Sequence, residues 1–197
     1  MNRKQLTTLL VLVAVIGGAG LLVNKRRQGD WQQSSSGGGQ KLAGALDVNA
    51  VATVTIKSSA GALNLTKQGD AWVVKERGDY AANFGSIADL IRKFADVKAI
   101  QTEQVGASQY ARLELQAPGD GEGRGTLVEL KGKDGQALKS IVLGKKQMKK
   151  SEGGPFGGGD FPVGRWVRDV ASKDTVMVTG EQFGEAEPKP ENWLDKD

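Results

Sequence analysis

The chain has 197 residues, a formal net charge of +4, and neither cysteine nor histidine. The absence of these two residue types excludes disulfides, thiol nucleophiles and histidine general bases, and nearly all zinc, haem and iron–sulfur ligation. Five of the 27 basic residues and one of the 23 acids precede residue 41, so 22 basic and 22 acidic groups remain beyond it. Lys and Arg supply most of the affinity for phosphate backbones, so the neutral charge beyond residue 40 argues against a nucleic-acid partner. We also expect no metal and no cofactor.

The N-terminus carries a long apolar run. Residues 6–23 are 18 positions without a charge, and a helix of that length rises about 27 Å, close to the ~30 Å hydrocarbon core of a bilayer. The run is longer than the apolar region of a signal peptide, about 7–15 residues, and the basic residues Lys25, Arg26 and Arg27 follow it. We therefore predict an uncleaved transmembrane signal-anchor over residues 1–27, with a cleaved signal peptide as the alternative.

Basic groups flank the apolar run on both sides, so the distribution of positive charge does not decide its orientation. The short N-terminal tail favours an N-terminus inside the cell and a translocated bulk. We therefore expect contact with membrane lipid through residues 6–23 and a location on the periplasmic side of the bacterial inner (cytoplasmic) membrane. Residues 28–41 are rich in Ser, Gly and Gln and predict a flexible tether.

Residues 42–180 are predicted to form one domain of ordinary size. Apolar and polar residues alternate over 52–57, 62–68 and 71–77, which predicts three short strands. Gly-containing turns separate these strands, as is typical of an antiparallel meander.

A long amphipathic helix is predicted after the meander. Ser86 and Asp89 have the spacing of a capping box at its start. Apolar residues then recur on one helical face, and they are Ile87, Leu90, Ile91, Phe94 and Val97. We expect this stripe to pack on the sheet rather than to form a groove for a partner.

The rest of the domain is predicted to consist mainly of strands. In chain order we expect a strand at 100–105, a helical turn at 108–115, a hairpin around Asp134-Gly135, and strands near 164–170 and 174–180. Strands that cluster around one helix indicate an α+β fold class. The predicted architecture is a mainly antiparallel sheet of meander and hairpins, packed on one long amphipathic helix and preceded by a single N-terminal transmembrane helix.

The C-terminal residues 181–197 carry six acids against two lysines. This composition is typical of a solvated surface segment. We predict an acidic tail or the start of a further domain.

The glycine-dense stretch 153–164 suggests a phosphate cradle. It lacks the Gly-Lys-Ser/Thr ending and the GxGxxG order, and it opens no helix, so we predict a loop between strands. Its phenylalanines and the preceding lysine run are candidates for contact with a partner, a ligand or a lipid headgroup. These candidate residues are Lys145, Lys146, Lys149, Lys150, Phe156 and Phe161. No catalytic residue is predicted.

Several loose motifs follow one another after the basic tail and the apolar run. They are the strand around Trp72, the turn Tyr110 to Leu113, the pair Leu143-Gly144 and the segment Arg165 to Arg168. With these motifs the chain resembles the bacterial domain-of-unknown-function 4340 family over nearly its whole length. The long insertion 145–162 departs from the family, whose members usually turn tightly at this point.

The resemblance implies a single-pass, extracytoplasmic protein of a kind often encoded beside components of gliding-motility-type ABC transporters. Transporter permease or ATPase subunits are therefore the expected partners. Related proteins often continue past a segment like Trp193-Leu194-Asp195 into a further domain, so the resemblance predicts a fragment or a short member. It brings no established catalytic residues.

These features together predict a membrane-tethered extracytoplasmic accessory or interaction domain, associated with an ABC-type transport system and without catalysis of its own. The alternative is an envelope glycan- or lipid-binding module that uses the 153–164 stretch and the lysines of 145–150. An enzyme that uses carboxylates, Ser or Lys is the third hypothesis. The sequence leaves the ligand and the oligomeric state open.

Overall fold

The structure is a computed structural model that describes residues 39–150, 159–172 and 174–196. The predicted signal-anchor, and the predicted tether up to residue 38, lie outside the described residues. So does the first half of the glycine-dense stretch, residues 153–158.

Within the described residues, nine strands form a single antiparallel sheet. In chain order they are β1 (Thr53–Ser58), β2 (Gly61–Gln68), β3 (Ala71–Val74), β4 (Tyr80–Ala81), β5 (Ala99–Gln104), β6 (Thr126–Lys131), β7 (Ala137–Lys150), β8 (Asp160–Asp169) and β9 (Thr175–Thr179). Across the sheet the order is β4-β3-β2-β1-β6-β7-β8-β9-β5. The predicted meander is present as β1 to β3, and the predicted hairpin as β6 and β7.

One α-helix, α1 (Phe84–Asp96), follows β4 at one edge of the sheet and precedes β5 at the opposite edge. Its buried residues are Ile87, Leu90, Ile91 and Phe94, all members of the predicted stripe. The predicted cap is wrong: the N-cap is Asn83, whose side chain accepts a hydrogen bond from the Ser86 N–H at 2.9 Å. Asn is as favourable an N-cap as Ser. Ser86, the first residue of the predicted capping box, therefore lies inside the helix, three residues after the N-cap Asn83.

The predicted fold class is wrong. Among the described residues the only α-helix has 13 residues, a rise of about 20 Å. Nine strands spaced about 4.8 Å apart give a sheet about 38 Å wide, so α1 covers only part of one face. Nowhere in the described ranges does a helix reach the length and hydrophobicity needed to cross a membrane. Residues 1–27, to which the transmembrane prediction refers, lie outside those ranges.

The chain after β9 covers more of the face on which α1 packs. We call residues 181–195 the strap, because they return to the β4 edge, where the Asn83 N–H donates to the Trp193 carbonyl at 2.8 Å. Phe183 stacks on Phe94 of α1 with ring centroids 4.5 Å apart. Both Phe183 and Trp193 are 1% exposed and belong to the main core. The acidic composition of the segment does not indicate this burial.

Ion pairs align the strap along the helix. Lys93 of α1 contacts two strap carboxylates, Glu181 and Glu185. The hydrogen bond to Glu185 raises the pKa of Lys93, because it favours the charged form. A third ion pair joins Arg77 to Glu191 of the strap. These groups are partly exposed and water screens them, so the apolar contacts of the strap dominate its stability.

The opposite face of the sheet is covered near its centre by residues 105–125, which we call the 105–125 loop. Tyr110 and Leu115 of this loop pack with Val142 of β7 in a second apolar cluster. The Arg168 guanidinium of β8 lies 4.7 Å from the centre of the Tyr110 ring and donates from Nε to the Leu115 carbonyl at 3.2 Å. Both faces of the sheet therefore depend on segments that contain neither α-helix nor strand, only short 3-10 turns.

We expect the substitution Trp193→Ala to lower the free energy of unfolding by about 3–5 kcal/mol, because it empties a buried aromatic site. Urea unfolding of the full chain measures this effect. Tyr80→Ala is the matched control, because Tyr80 is 55% exposed, and it should change the free energy by less than about 1 kcal/mol. Equal effects of the two substitutions would show that the strap does not contribute to the core.

Candidate functional site

The hairpin of β7 and β8 is longer than the strands beside it. Pairing of β7 with β6 ends at Leu143, and pairing of β8 with β9 ends at Arg165. Beyond these points β7 and β8 pair, within the described part of the chain, only with each other. We call residues 145–150 and 160–164 the ribbon. It projects beyond the sheet by roughly 20 Å, if its residues rise as in an ordinary strand.

Two register shifts interrupt the ribbon. One lies between Leu143 and Lys146, and the other between Gln147 and Met148. Such bulges bend a strand and increase its twist, and Pro162 has no N–H to offer to a further strand. These features discourage edge-to-edge pairing. The side chains, rather than the backbone, therefore form the contact surface of the ribbon.

Lysines and apolar side chains share this surface. Lys149 is paired with Phe161, so the two side chains project from the same face of the ribbon. The residues Met148, Phe161 and Val163 are 52%, 47% and 41% exposed, but Met148 is paired with Pro162 and so projects from the face opposite Phe161. Lys145 and Lys149 are exposed, and neither forms an ion pair with a residue that the structure describes.

Lys146 differs from these two lysines because it lies on the strap side. It is paired with Arg165, which contacts the strap. The pKa of Glu187 in the strap is lowered, mainly by the hydrogen bond from Lys189 and to a smaller extent by the charge of Lys146. Lys146 therefore contributes its charge to the strap as well as to the ribbon.

Arg165 fastens the base of the ribbon to the strap. Its Nε donates to the Gly144 carbonyl at 2.9 Å, and its Nη1 donates to the carbonyls of Gln182 and Phe183 at 2.7 Å and 3.4 Å. Burial lowers the pKa of Arg165, because desolvation disfavours the charged form, while two nearby glutamates act in the opposite direction. A single guanidinium thus joins β7 to the strap.

Five of the six predicted contact residues lie in the ribbon, and they are Lys145, Lys146, Lys149, Lys150 and Phe161. Phe156 lies outside the described residues. The stretch 153–164 was predicted to be a loop, but from Asp160 onward it is strand β8. Its glycine content concealed this strand, because the pairing partners come from the lysine run of β7.

Met148 and Val163 of the ribbon, and Arg165 at its base, were not among the predicted contact residues. Met148 interrupts the lysine run, and Val163 follows a proline, so pairing the two segments as a hairpin would have placed both beside the lysines. No local pattern marks Arg165, because its partners are carbonyl groups from two separate segments.

Comparisons with known proteins identify no relative: no protein-family model, no curated protein and no solved structure matches the chain. The resemblance to the domain-of-unknown-function 4340 family therefore stays a prediction.

We expect Arg165→Met to lower the free energy of unfolding by about 2–3 kcal/mol, because the carbonyls of Gly144 and Gln182 lose a charged donor. Arg165→Lys should not restore it, since an ammonium cannot reproduce the planar fork of a guanidinium. Urea unfolding measures the effect. Lys145→Met, which removes an exposed charge from the ribbon, should stay within about 0.5 kcal/mol of the parent. An equal loss in both variants would contradict the role of Arg165.

Proposed function

We propose that this chain is a non-catalytic interaction domain that works at the extracytoplasmic face of the bacterial cytoplasmic membrane and contacts its partner through the ribbon. The observation that carries the proposal is the composition of the ribbon surface. The ribbon projects from the sheet, presents exposed Phe161 beside Lys149 on one face, and leaves Met148 exposed on the other face.

Exposed apolar side chains on both faces of a projecting ribbon are typical of interaction sites, because water-facing apolar area is costly to maintain without a partner. The neighbouring lysines add attraction to an acidic partner surface and speed its encounter with the ribbon. The bulges and Pro162 keep other strands from adding to the ribbon, which favours a specific side-chain contact over aggregation.

Permease or ATPase subunits of an ABC-type transport system are the proposed partners. This part of the proposal rests on the resemblance described above. The location rests on residues 6–23, whose apolar composition suits contact with membrane lipid. Residues 39–41, the end of the predicted tether, are hydrogen-bonded to the start of β5, so residues 28–38 are left to link the domain to the membrane.

A second candidate function is the binding of envelope glycan or lipid. The pairing of Lys149 with Phe161 favours it, because an aromatic ring beside a cation suits a sugar face or a headgroup boundary. In this case the ribbon would contact the envelope directly, and no transporter subunit would be needed.

The first candidate is tested by affinity purification of the full chain from detergent-solubilised membranes. The ribbon variant combines Lys145→Gln, Lys149→Gln and Phe161→Ser. We expect the parent chain to recover permease or ATPase subunits, and the ribbon variant to recover at least tenfold less, since the central contacts of an interface carry most of its energy.

The matched control for this variant combines Lys98→Gln, Lys133→Gln and Tyr80→Ser. It also removes two exposed lysines and one exposed aromatic residue, but outside the ribbon. It should recover the same subunits as the parent. Recovery of the chain alone, or equal recovery by the ribbon and control variants, would contradict the proposal.

The second candidate predicts that the parent co-sediments with purified cell-wall sacculi or with phosphatidylglycerol vesicles more strongly than the ribbon variant. Both proteins carry the same residues 6–23, so any difference between them reports the ribbon alone. Indistinguishable co-sedimentation of the two proteins on both materials would eliminate this candidate.

A further inference from the structure

A groove lies beside the first half of α1, away from the ribbon. Its walls are the helix, the 3-10 turn Val48–Ala50, and the adjoining ends of β2 and β3. The space amounts to about 590 Å³, its open mouth included. Val51, Trp72 and Ile91 form an apolar floor, and each of them is almost fully buried.

The rim of the groove combines an exposed aromatic residue with positive charge. Phe84, in the first turn of α1, is 64% exposed. Two cations also line the groove, Lys67 from the end of β2 and Arg92 from α1. No carboxylate belongs to the lining. The N-terminus of α1 adds the positive end of the helix dipole to the same side.

Both cations are available to a ligand. Lys67 forms no ion pair with a residue in the described ranges. Arg92 has one acidic neighbour, Asp89, at 3.7 Å, but both side chains of that pair are 71% exposed. Such an exposed pair contributes little, so an incoming anion can compete for the guanidinium.

We propose that this groove binds a small amphipathic carboxylate. The apolar body of the ligand packs on Trp72 and Ile91 beneath Phe84, and its carboxylate is held by Lys67 and Arg92. An apolar floor with a cationic rim selects against neutral and cationic ligands of the same shape. Because the floor residues are almost fully buried, Phe84 and the two cations of the rim supply most of the surface that a ligand contacts, and the cations set its orientation. The site is independent of the ribbon.

Sodium octanoate, octan-1-ol and octylammonium chloride are the probes, because they share one chain and differ in charge. We expect octanoate to bind the full chain saturably, octanol to bind at least fivefold more weakly, and octylammonium to bind least. The readout is the indole N–H signals of the four tryptophans in ¹H–¹⁵N spectra, with Trp72→Phe assigning the signal of Trp72. That signal should shift on binding, because Trp72 lines the groove.

Three variants locate the site. Lys67→Gln and Arg92→Gln should each weaken octanoate binding about fivefold, as expected for the loss of a charge contact near the surface, and should leave octanol binding unchanged. Ala88→Phe should abolish binding by filling the groove, since Ala88 lines it. Lys145→Gln, which removes an exposed lysine from the ribbon, should have no effect. Retained spectral dispersion shows that each variant is folded.

Equal affinities for octanoate and octanol would overturn the proposal, because the cations would then play no part. Binding that survives Ala88→Phe, or that leaves the Trp72 signal unmoved, would place the ligand elsewhere and overturn it as well. An apolar peptide with a free C-terminal carboxylate that binds tenfold tighter than octanoate, with the same dependence on Lys67, would assign the groove to a peptide instead.

Discussion

The width of the sheet is the constraint on which the rest of this structure depends. Nine strands make a sheet about 38 Å wide, and the 13 residues of α1 rise only about 20 Å. The apolar face would therefore stay partly exposed if the helix were its sole cover. Phe183 and Trp193 of the strap supply the missing cover, and each buried side chain of this kind contributes roughly 2–3 kcal/mol.

The strap also connects the core to the ribbon. Phe183 has a left-handed backbone, with φ of 48°, which is unusual for a bulky residue. Its ring is held by the stack on Phe94, and its carbonyl accepts a hydrogen bond from Arg165. Helix, strap and ribbon base are thereby joined through a few contacts. A ribbon with a firmly held base loses less conformational entropy when it binds a partner.

The ribbon and the groove are different kinds of surface. The ribbon is convex and presents Lys149 beside Phe161, which suits a large partner. The groove is concave, has Trp72 in its floor, and has Lys67 and Arg92 at its rim, which suits a small anion. The ribbon arises because β7 and β8 extend past the neighbouring strands. The groove arises because α1, the 3-10 turn Val48–Ala50 and the ends of β2 and β3 leave a gap between them.

The sequence by itself determined the strands of the meander, the hairpin at Asp134-Gly135 and the apolar stripe of α1, because these patterns depend on neighbours within a few residues. It also identified most of the ribbon residues, through the density of lysine, though not their pairing. Only the tertiary structure decided the sheet order, the burial of Trp193 and the position of Phe161 opposite Lys149. These features arise from contacts between segments far apart in the chain, and no local periodicity records which distant surfaces are complementary.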